Sequence, residues 1–379
     1  MQIVVLDETK GGEPRVAATP ETIKKLIALG ASITIQSGAG VQASIPDAEF
    51  EAAGASVVKD PKSALAAADI LLSVARPDKA RAKGMKPGAL ALGVMDPYGN
   101  AEAMKPLADA GVAAFSMELM PRITRAQVMD VLSSQANLAG YRAVLEAAAE
   151  YGRAMPMMMT AAGTVPAART FIMGVGVAGL QAIATARRLG AIVTATDVRP
   201  ATKEQVESLG AKFLAVEDDE FKQAQTAGGY AKEMSKDYQA KQAALTASHI
   251  AKQDIVITTA LIPGRPAPVL ITAEMVASMR PGSIIVDLAV ERGGNCALSK
   301  MGEVVVTGNG VRIIGYGNLA KRLAPTASSL YAKNLFSFLE TMIDKKEKKL
   351  SVNWDDELVK ATLLTRDGAL VHPMFQPKA

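Results

Sequence analysis

Two groups of residues in this chain have the types and spacing for chemistry. The first is Gly174-Val175-Gly176-Val177-Ala178-Gly179, which follows the β-branched and aromatic run Arg169-Thr170-Phe171-Ile172-Met173 and opens into the helical pattern Leu180 to Leu189. Glycines at a strand-to-helix turn have separable duties: Gly174 permits the tight turn, Gly176 lets a pyrophosphate approach the backbone, and Gly179 lets the helix pack on the strand. The helix start at Val177 and Ala178 then faces the phosphates. The next strand, Ile192 to Thr196, ends in Asp197, 23 residues after Gly174. A carboxylate there accepts hydrogen bonds from both adenine-ribose hydroxyls and repels a 2′-phosphate, so the spacing predicts NAD rather than NADP. Val198 and Arg199 follow; the Arg199 cation either softens that discrimination or pairs with a surface carboxylate. The plainer alternative makes the glycines ordinary turn residues and Asp197 a helix cap.

Ligands of open α/β sheets bind beyond the carboxyl ends of strands. Two further strand ends therefore face the same crevice: Ala260 and Leu261, continuing into Ile262-Pro263-Gly264-Arg265-Pro266, and Asp287 to Glu291 after Ile284-Ile285-Val286. The first suits a wall against a flat ring or is a simple connection; Asp287 lines the crevice or is a cap.

The second group runs from Met117 to Asp130 and on through Ser133, Ser134, Gln135 and Asn137, a dense set of polar residues entering an apolar helical pattern. If the helix begins near Ala126, Gln127 and Asp130 share a face, as do Asp130 and Ser133, because they are three residues apart. Arg122 lies just outside, within reach of the Asp130 carboxylate. An N-terminal turn with acids at its positive end accounts for Asp130 but not for the whole set. Farther on, Thr226-Ala227-Gly228-Gly229-Tyr230 reads either as a hinge and lid or as the approach to a crossover helix over about 232 to 251.

These groups must be held by regular elements, and one mark recurs: a helical pattern ends at Gly and a short β-branched run follows. It occurs at Gly30, Gly54, Gly111, Gly190 and Gly210, before runs ending at Ile35, Val58, Phe115, Thr196 and Val216. Further strands are expected at Ile3 to Leu6, Ile70 to Val74, Leu90 to Val94, Thr170 to Met173, Ile255 to Thr259, Ser283 to Leu288 and Arg312 to Gly315. The fold class is α/β: two Rossmann-like, doubly wound domains with mainly parallel sheets, joined by long helices at about 126 to 152 and 328 to 343, with a cleft between them. The expected division is residues 1–130 plus 340–379, a discontinuous N-terminal domain, and 140–330, the nucleotide-binding domain.

Composition removes other classes. The 379 residues carry 42 Lys+Arg against 38 Asp+Glu, and aromatic residues are only 4%, which is neither the basic excess nor the stacking surface of a nucleic-acid binder. Cys296 has no partner for an intrachain disulfide, and with His249 and His372 far apart no zinc cluster of usual spacing exists, so no metal is expected. No secretory signal or spanning segment is visible, which implies a cytoplasmic location. The charged run 344–349 is a solvated loop or a contact for acidic headgroups or a partner.

The runs Ala126 to Gln135, Pro156-Met157-Met158-Met159-Thr160-Ala161-Ala162-Gly163-Thr164-Val165-Pro166, Gly174 to Gly179 and Thr226 to Tyr230 closely resemble the NAD(H)-binding component, domain I, of proton-translocating NAD(P) transhydrogenase. The resemblance covers essentially the whole chain. It implies hydride transfer between NAD(H) here and NADP(H) on a partner component, coupled to proton passage by a membrane-spanning component. It also implies a homodimer, peripheral on the inner face of the cell membrane through its partners. Carried onto matching positions, Arg122, Gln127, Asp130 and Ser133 orient the nicotinamide, Gln127 reaching toward the partner nucleotide, while Gly229 and Tyr230 belong to a mobile loop closing over it.

A more distant kinship links the chain to alanine dehydrogenase through Glu13-Pro14-Arg15-Val16-Ala17. Where alanine dehydrogenases carry a substrate-binding Lys this chain aligns Ala75, where they carry a catalytic His it aligns Asp96, and their catalytic Asp falls at Glu291. Hydride exchange between two nicotinamides needs alignment rather than a general acid or base, and suits a chain lacking that Lys and His. An alanine-dehydrogenase-like enzyme and a catalytically silent NAD-binding module are the competing readings. Turnover with pyruvate and ammonium marks the former, binding without turnover the latter.

Overall fold

The computed structural model describes residues 1–224, 234–262 and 264–376. The chain forms two compact units, residues 1–135 with 321–379, and residues 136–320.

The first unit is built on β1 (Gln2–Val5), β2 (Ser32–Gln36), β3 (Ser56–Val58), β4 (Ile70–Ala75), β5 (Leu90–Val94) and β6 (Ala113–Ser116). Their spatial order is β6-β5-β4-β1-β2-β3, all parallel, which is the doubly wound order of a Rossmann unit. Parallel strands are covered on both faces, and the near-continuous apolar run of β4 is buried accordingly. Caps set the helices: Thr19 and Thr22 exchange hydrogen bonds around the start of Pro20–Ala28, whose first residue, Pro20, has no N–H to satisfy. The C-terminal strand Leu363–Arg366 pairs antiparallel with β6, placing Leu363 opposite Phe115, and Ala369–Leu370 completes that edge.

The helix Ala324–Glu340 sinks Tyr331, Leu335, Phe338 and Leu339 into the core that holds Ile3, Ile35 and Phe115. The Tyr331 hydroxyl donates to the Ser73 carbonyl at 2.9 Å. Residues from 321 onward therefore group with the first unit, earlier than the boundary at 330 to 340 read from the sequence. The charged run 344–349 is the exposed turn of the small hairpin Ile343–Asp344 with Lys349–Leu350; the Asp344 carboxylate accepts from the N–H groups of Lys346 and Glu347.

The second unit carries an exposed hairpin, β7 (Met158–Thr160) and β8 (Gly163–Val165); Met158 and Met159 in it and Met157 just before it are all solvent-facing. Its sheet comprises β9 (Arg169–Met173), β10 (Ile192–Thr196), β11 (Lys212–Phe213), β12 (Ile255–Thr258), β13 (Ile284–Asp287), β14 (Val304–Val306) and β15 (Arg312–Ile314), in the order β11-β10-β9-β12-β13-β15-β14. All pairs are parallel except β14 with β15. β11 is two residues rather than the run to Val216 expected from the sequence. β14 and the hairpin were not anticipated. No helix among the described residues is long and apolar enough to cross a membrane.

Candidate functional site

The glycine turn leaves the carboxyl end of β9, which lies between β10 and β12 in its sheet. Gly174 has φ +99°, and a Cβ there would stand 2.6 Å from the Thr259 hydroxyl; at Gly179 a Cβ would lie 1.9 Å from the Gly174 carbonyl oxygen. Packing alone therefore demands glycine at both positions. Gly176 is different: its φ of −83° and ψ of −166° suit any residue, and a Cβ would meet nothing within 4 Å. Neither the backbone nor packing requires glycine there, and the space beside it is open. Gly176 is the N-cap of the helix Val177–Arg188, which starts with no side-chain cap; Gly176 and Val177 are exposed and Ala178 is half-buried. Uncapped amides at a helix start beside open space fit the pyrophosphate of a dinucleotide.

Asp197 follows the last residue of β10, and its side chain is 8% exposed. One carboxylate oxygen, Oδ1, accepts the Arg199 backbone N–H and Nε, each at 2.9 Å; the other, Oδ2, accepts the Val175 N–H at 2.8 Å and Arg199 Nη2 at 2.9 Å. Nη2 also donates to the Val175 carbonyl at 3.1 Å. Asp197 is thus tied to the glycine turn itself. Arg199 pairs with Asp197, while Val198 beside it is exposed.

The wall after β12 is pinned from beneath. Thr259 donates through N–H to the Met173 carbonyl and through its hydroxyl to the Gly174 carbonyl. Asn295, fully buried, accepts from the Ala260 N–H at 3.0 Å and donates to the Ala260 and Pro268 carbonyls, both at 2.8 Å. Asp287, also fully buried, accepts from the Thr258 and Ser299 hydroxyls and from the N–H groups of Ala289 and Cys296. It organises the wall without lining it. Leu261 and Ile262 remain exposed. Asn295 escaped the sequence reading because it acts 35 positions away from Ala260; the pair Gly293-Gly294 before it is the one local sign of a specialised turn.

The polar group of the first unit departs from the helical reading. Residues Thr124–Met129 form a 3₁₀ turn, and Asp130 is extended, with ψ of 93°. The α-helix starts only at Val131 and runs to Glu150. Asp130 accepts from the Ser133 N–H at 2.9 Å and the Ser133 hydroxyl at 2.6 Å, so it caps this helix. Gln127 consequently does not share a helical face with Asp130; it is exposed on the preceding turn, and Arg122 is exposed one residue before the N-cap of that turn.

Two carboxylates of this unit bond strand ends: Glu8, which is buried, and Glu118, which is partly buried. Glu8 accepts from the Val74 and Ala75 N–H groups at 2.7 and 2.8 Å, and burial raises its pKa to about 7. Glu118 accepts from the N–H groups of Met95 and Asp96, and burial pushes its carboxyl up as well. Ala75 ends β4 and Asp96 lies two residues past the end of β5. The two histidines serve packing: His249 bonds the Thr194 hydroxyl and lies edge-on to Phe171, and His372 bonds the Ala361 carbonyl. Glu291 is exposed. Among the described residues no group of three or more His, Cys, Asp or Glu is placed to hold a metal ion. Gly229 and Tyr230, with the whole hinge or lid segment, and Pro263 lie outside the described residues.

The chain matches the family Alanine dehydrogenase/PNT, N-terminal domain, over residues 4–139 and Alanine dehydrogenase/PNT, C-terminal domain, over residues 143–373. It is 54% identical over 378 residues, 98% of each chain, to an NAD(P) transhydrogenase subunit alpha protein of Rhodospirillum rubrum. Among solved structures, transhydrogenase from Sinorhizobium meliloti superposes with a TM-score of 0.89 at 58% identity, covering 98% of this chain and 100% of that one. An L-alanine dehydrogenase shares the fold, with a TM-score of 0.82 at 24% identity over 99% and 98% of the two chains. The chain belongs to the alanine dehydrogenase/PNT family, within it to the group of NAD(P) transhydrogenase alpha subunits.

Proposed function

We propose that the chain is the NAD(H)-binding component of a proton-translocating NAD(P) transhydrogenase. It holds NAD(H) in its second unit for hydride exchange with NADP(H) carried by a separate component. The observation that carries this reading is Gly176: a glycine that neither backbone geometry nor packing requires, between two that packing does require, at an uncapped helix start. The relatives named transhydrogenase support the reaction assigned to that nucleotide.

The bound nucleotides supply the hydride chemistry themselves. The chain's own residues bind and align. Amides at the start of Val177–Arg188 receive the pyrophosphate, Asp197 the adenine ribose, and the Ala260–Leu261 wall, held by Asn295, one side of the dinucleotide. Arg122, Gln127, Asp130 and Ser133 orient the nicotinamide end, with the capping bond to Ser133 fixing the Asp130 carboxylate. Ala75 and Asp96 in place of Lys and His remove a carboxylate anchor and an acid/base group, which favours alignment over amino-acid oxidation. A membrane-spanning component couples exchange to proton passage and keeps this chain peripheral on the inner membrane face. The exposed methionine-bearing hairpin β7–β8 supports self-association as a homodimer, because an isolated two-stranded ribbon is marginal in water and apolar side chains on it gain from a covering surface.

The test is reconstitution. NADH and an NADP analogue are mixed with the chain, with and without the separately expressed NADP-binding component, and in parallel with pyruvate and ammonium. Transfer only with the partner supports the proposal. Oxidation of NADH by pyruvate and ammonium overturns it in favour of an amino-acid dehydrogenase, and binding with no turnover in any mixture points to a silent module.

A further inference from the structure

A carboxylate has about four acceptor positions on its two oxygens, and at Asp197 all of them are in use. Two of the donors, the Val175 and Arg199 backbone N–H groups, are fixed by the course of the chain. The other two, Nε and Nη2, belong to one guanidinium that is 29% exposed. They form a fork of parallel donors, one to each oxygen, which is the pattern a ribose diol presents to a carboxylate. We propose that Arg199 is an internal competitor for the adenosine ribose and thereby the residue that limits both the grip on NAD(H) and its preference over NADP(H). This rests on the nucleotide-binding reading above.

The exchange conserves hydrogen bonds at the carboxylate: two hydroxyl donors replace two guanidinium donors. The backbone donors stay, so Asp197 keeps its orientation toward the glycine turn. What is lost is the charge-assisted pair and the Nη2 bond to the Val175 carbonyl. The released guanidinium remains tethered two residues from the acid, a cation near the ribose 2′ position. A 2′-phosphate donates nothing to Asp197 but attracts that cation. One side chain thus opposes the diol and favours the phosphate, and both effects lower discrimination. Such a device suits a carrier that must release its nucleotide after each exchange.

Calorimetric titration of NADH and NADPH into the wild-type chain, Arg199→Ala and Arg199→Gln tests the assignment. Asp197 retains both backbone donors in either variant, so the fold is kept. Both variants are expected to bind NADH about 3- to 10-fold more tightly, since the Asp197–Arg199 pair no longer has to be broken, and to bind NADPH less tightly than wild type. Arg199→Lys, with one point charge and no fork, falls between. Weaker NADH binding in Arg199→Ala overturns the inference, because it makes the guanidinium a ligand contact. An unchanged NADH-to-NADPH ratio overturns it too, leaving wild-type NADH binding and the nucleotide reading intact. A wild-type chain that binds neither nucleotide overturns that reading and the inference with it.

Discussion

The three glycines of the turn separate fold from function within six residues. A methyl group at Gly179 has nowhere to go, since the Gly174 carbonyl would stand 1.9 Å away. Gly179→Ala should therefore destabilise the second unit by about 1–3 kcal/mol or more, read as a lowered melting temperature. Gly176→Ala should leave that temperature within about 2 °C of wild type, because nothing in the chain touches the added carbon. Its effect should be on NADH affinity, lowered about 10-fold or more where the pyrophosphate must approach the backbone. Unaltered affinity in Gly176→Ala would remove the observation on which the functional reading stands. At the other polar group, Asp130→Asn preserves a good cap and Gln127→Asn alters only an exposed turn, so neither should disturb folding. Each should slow transfer in the reconstituted assembly by about 10- to 100-fold with NADH binding nearly unchanged. Asp130→Ala, by contrast, should also cost about 1 kcal/mol of stability through the lost cap.

At the level of elements, the strands were legible wherever a short β-branched or apolar run is bounded by polar or turn residues, a helix-ending glycine preceding some of them. β4, β5, β9, β10, β12 and β13 came out within about a residue or two of their expected bounds for that reason. The failures have physical causes. The pattern through Gln127 and Asp130 is compatible with one continuous helix, and only the capping bond to Ser133 tells the chain to start it at Val131. β14 is a three-residue antiparallel edge, too short to show a period. The Asn295 clamp and the Arg199 fork depend on where loops meet in space, which spacing along the chain does not encode. So do the carboxylates of Glu8 and Glu118, bonded to the ends of β4 and β5, and Glu8 has a measurable signature. Its pKa rises from 4.5 to about 7 on folding because burial disfavours the charge, with Glu13 adding repulsion, against opposing bonds from Val74 and Ala75 and the field of Arg81. The folded state then holds a proton that the unfolded chain has released, so stability contributed by this group is full below about pH 4.5 and is lost as pH rises through about 7. Melting temperature followed from pH 4.5 to 8 should fall more steeply for wild type than for Glu8→Gln; parallel curves would show that Glu8 is not protonated in the fold.

On the scale of the whole molecule, the same doubly wound order occurs twice, yet the glycine turn occurs once. In the first unit the strand placed as β9 is in the second is β1, and Leu6-Asp7-Glu8-Thr9-Lys10-Gly11 after it carries no such glycine pattern, while N–H groups at the ends of β4 and β5 are bonded to Glu8 and Glu118. The chain should accordingly take up a single equivalent of NADH, and a second calorimetric site of comparable affinity would contradict the assignment of the nucleotide to the glycine turn alone. The hairpin β7–β8 has its own chemical consequence. Thioethers at Met157, Met158 and Met159 lie open to solvent in the isolated chain, where mild peroxide converts such sulfurs to polar sulfoxides. A second copy seated over the ribbon would shield them. Peptide mapping after brief oxidation would then read association as a footprint, with protection growing as the protein is concentrated, and sulfoxide formed beforehand would hold the copies apart until a reductase restored the side chains.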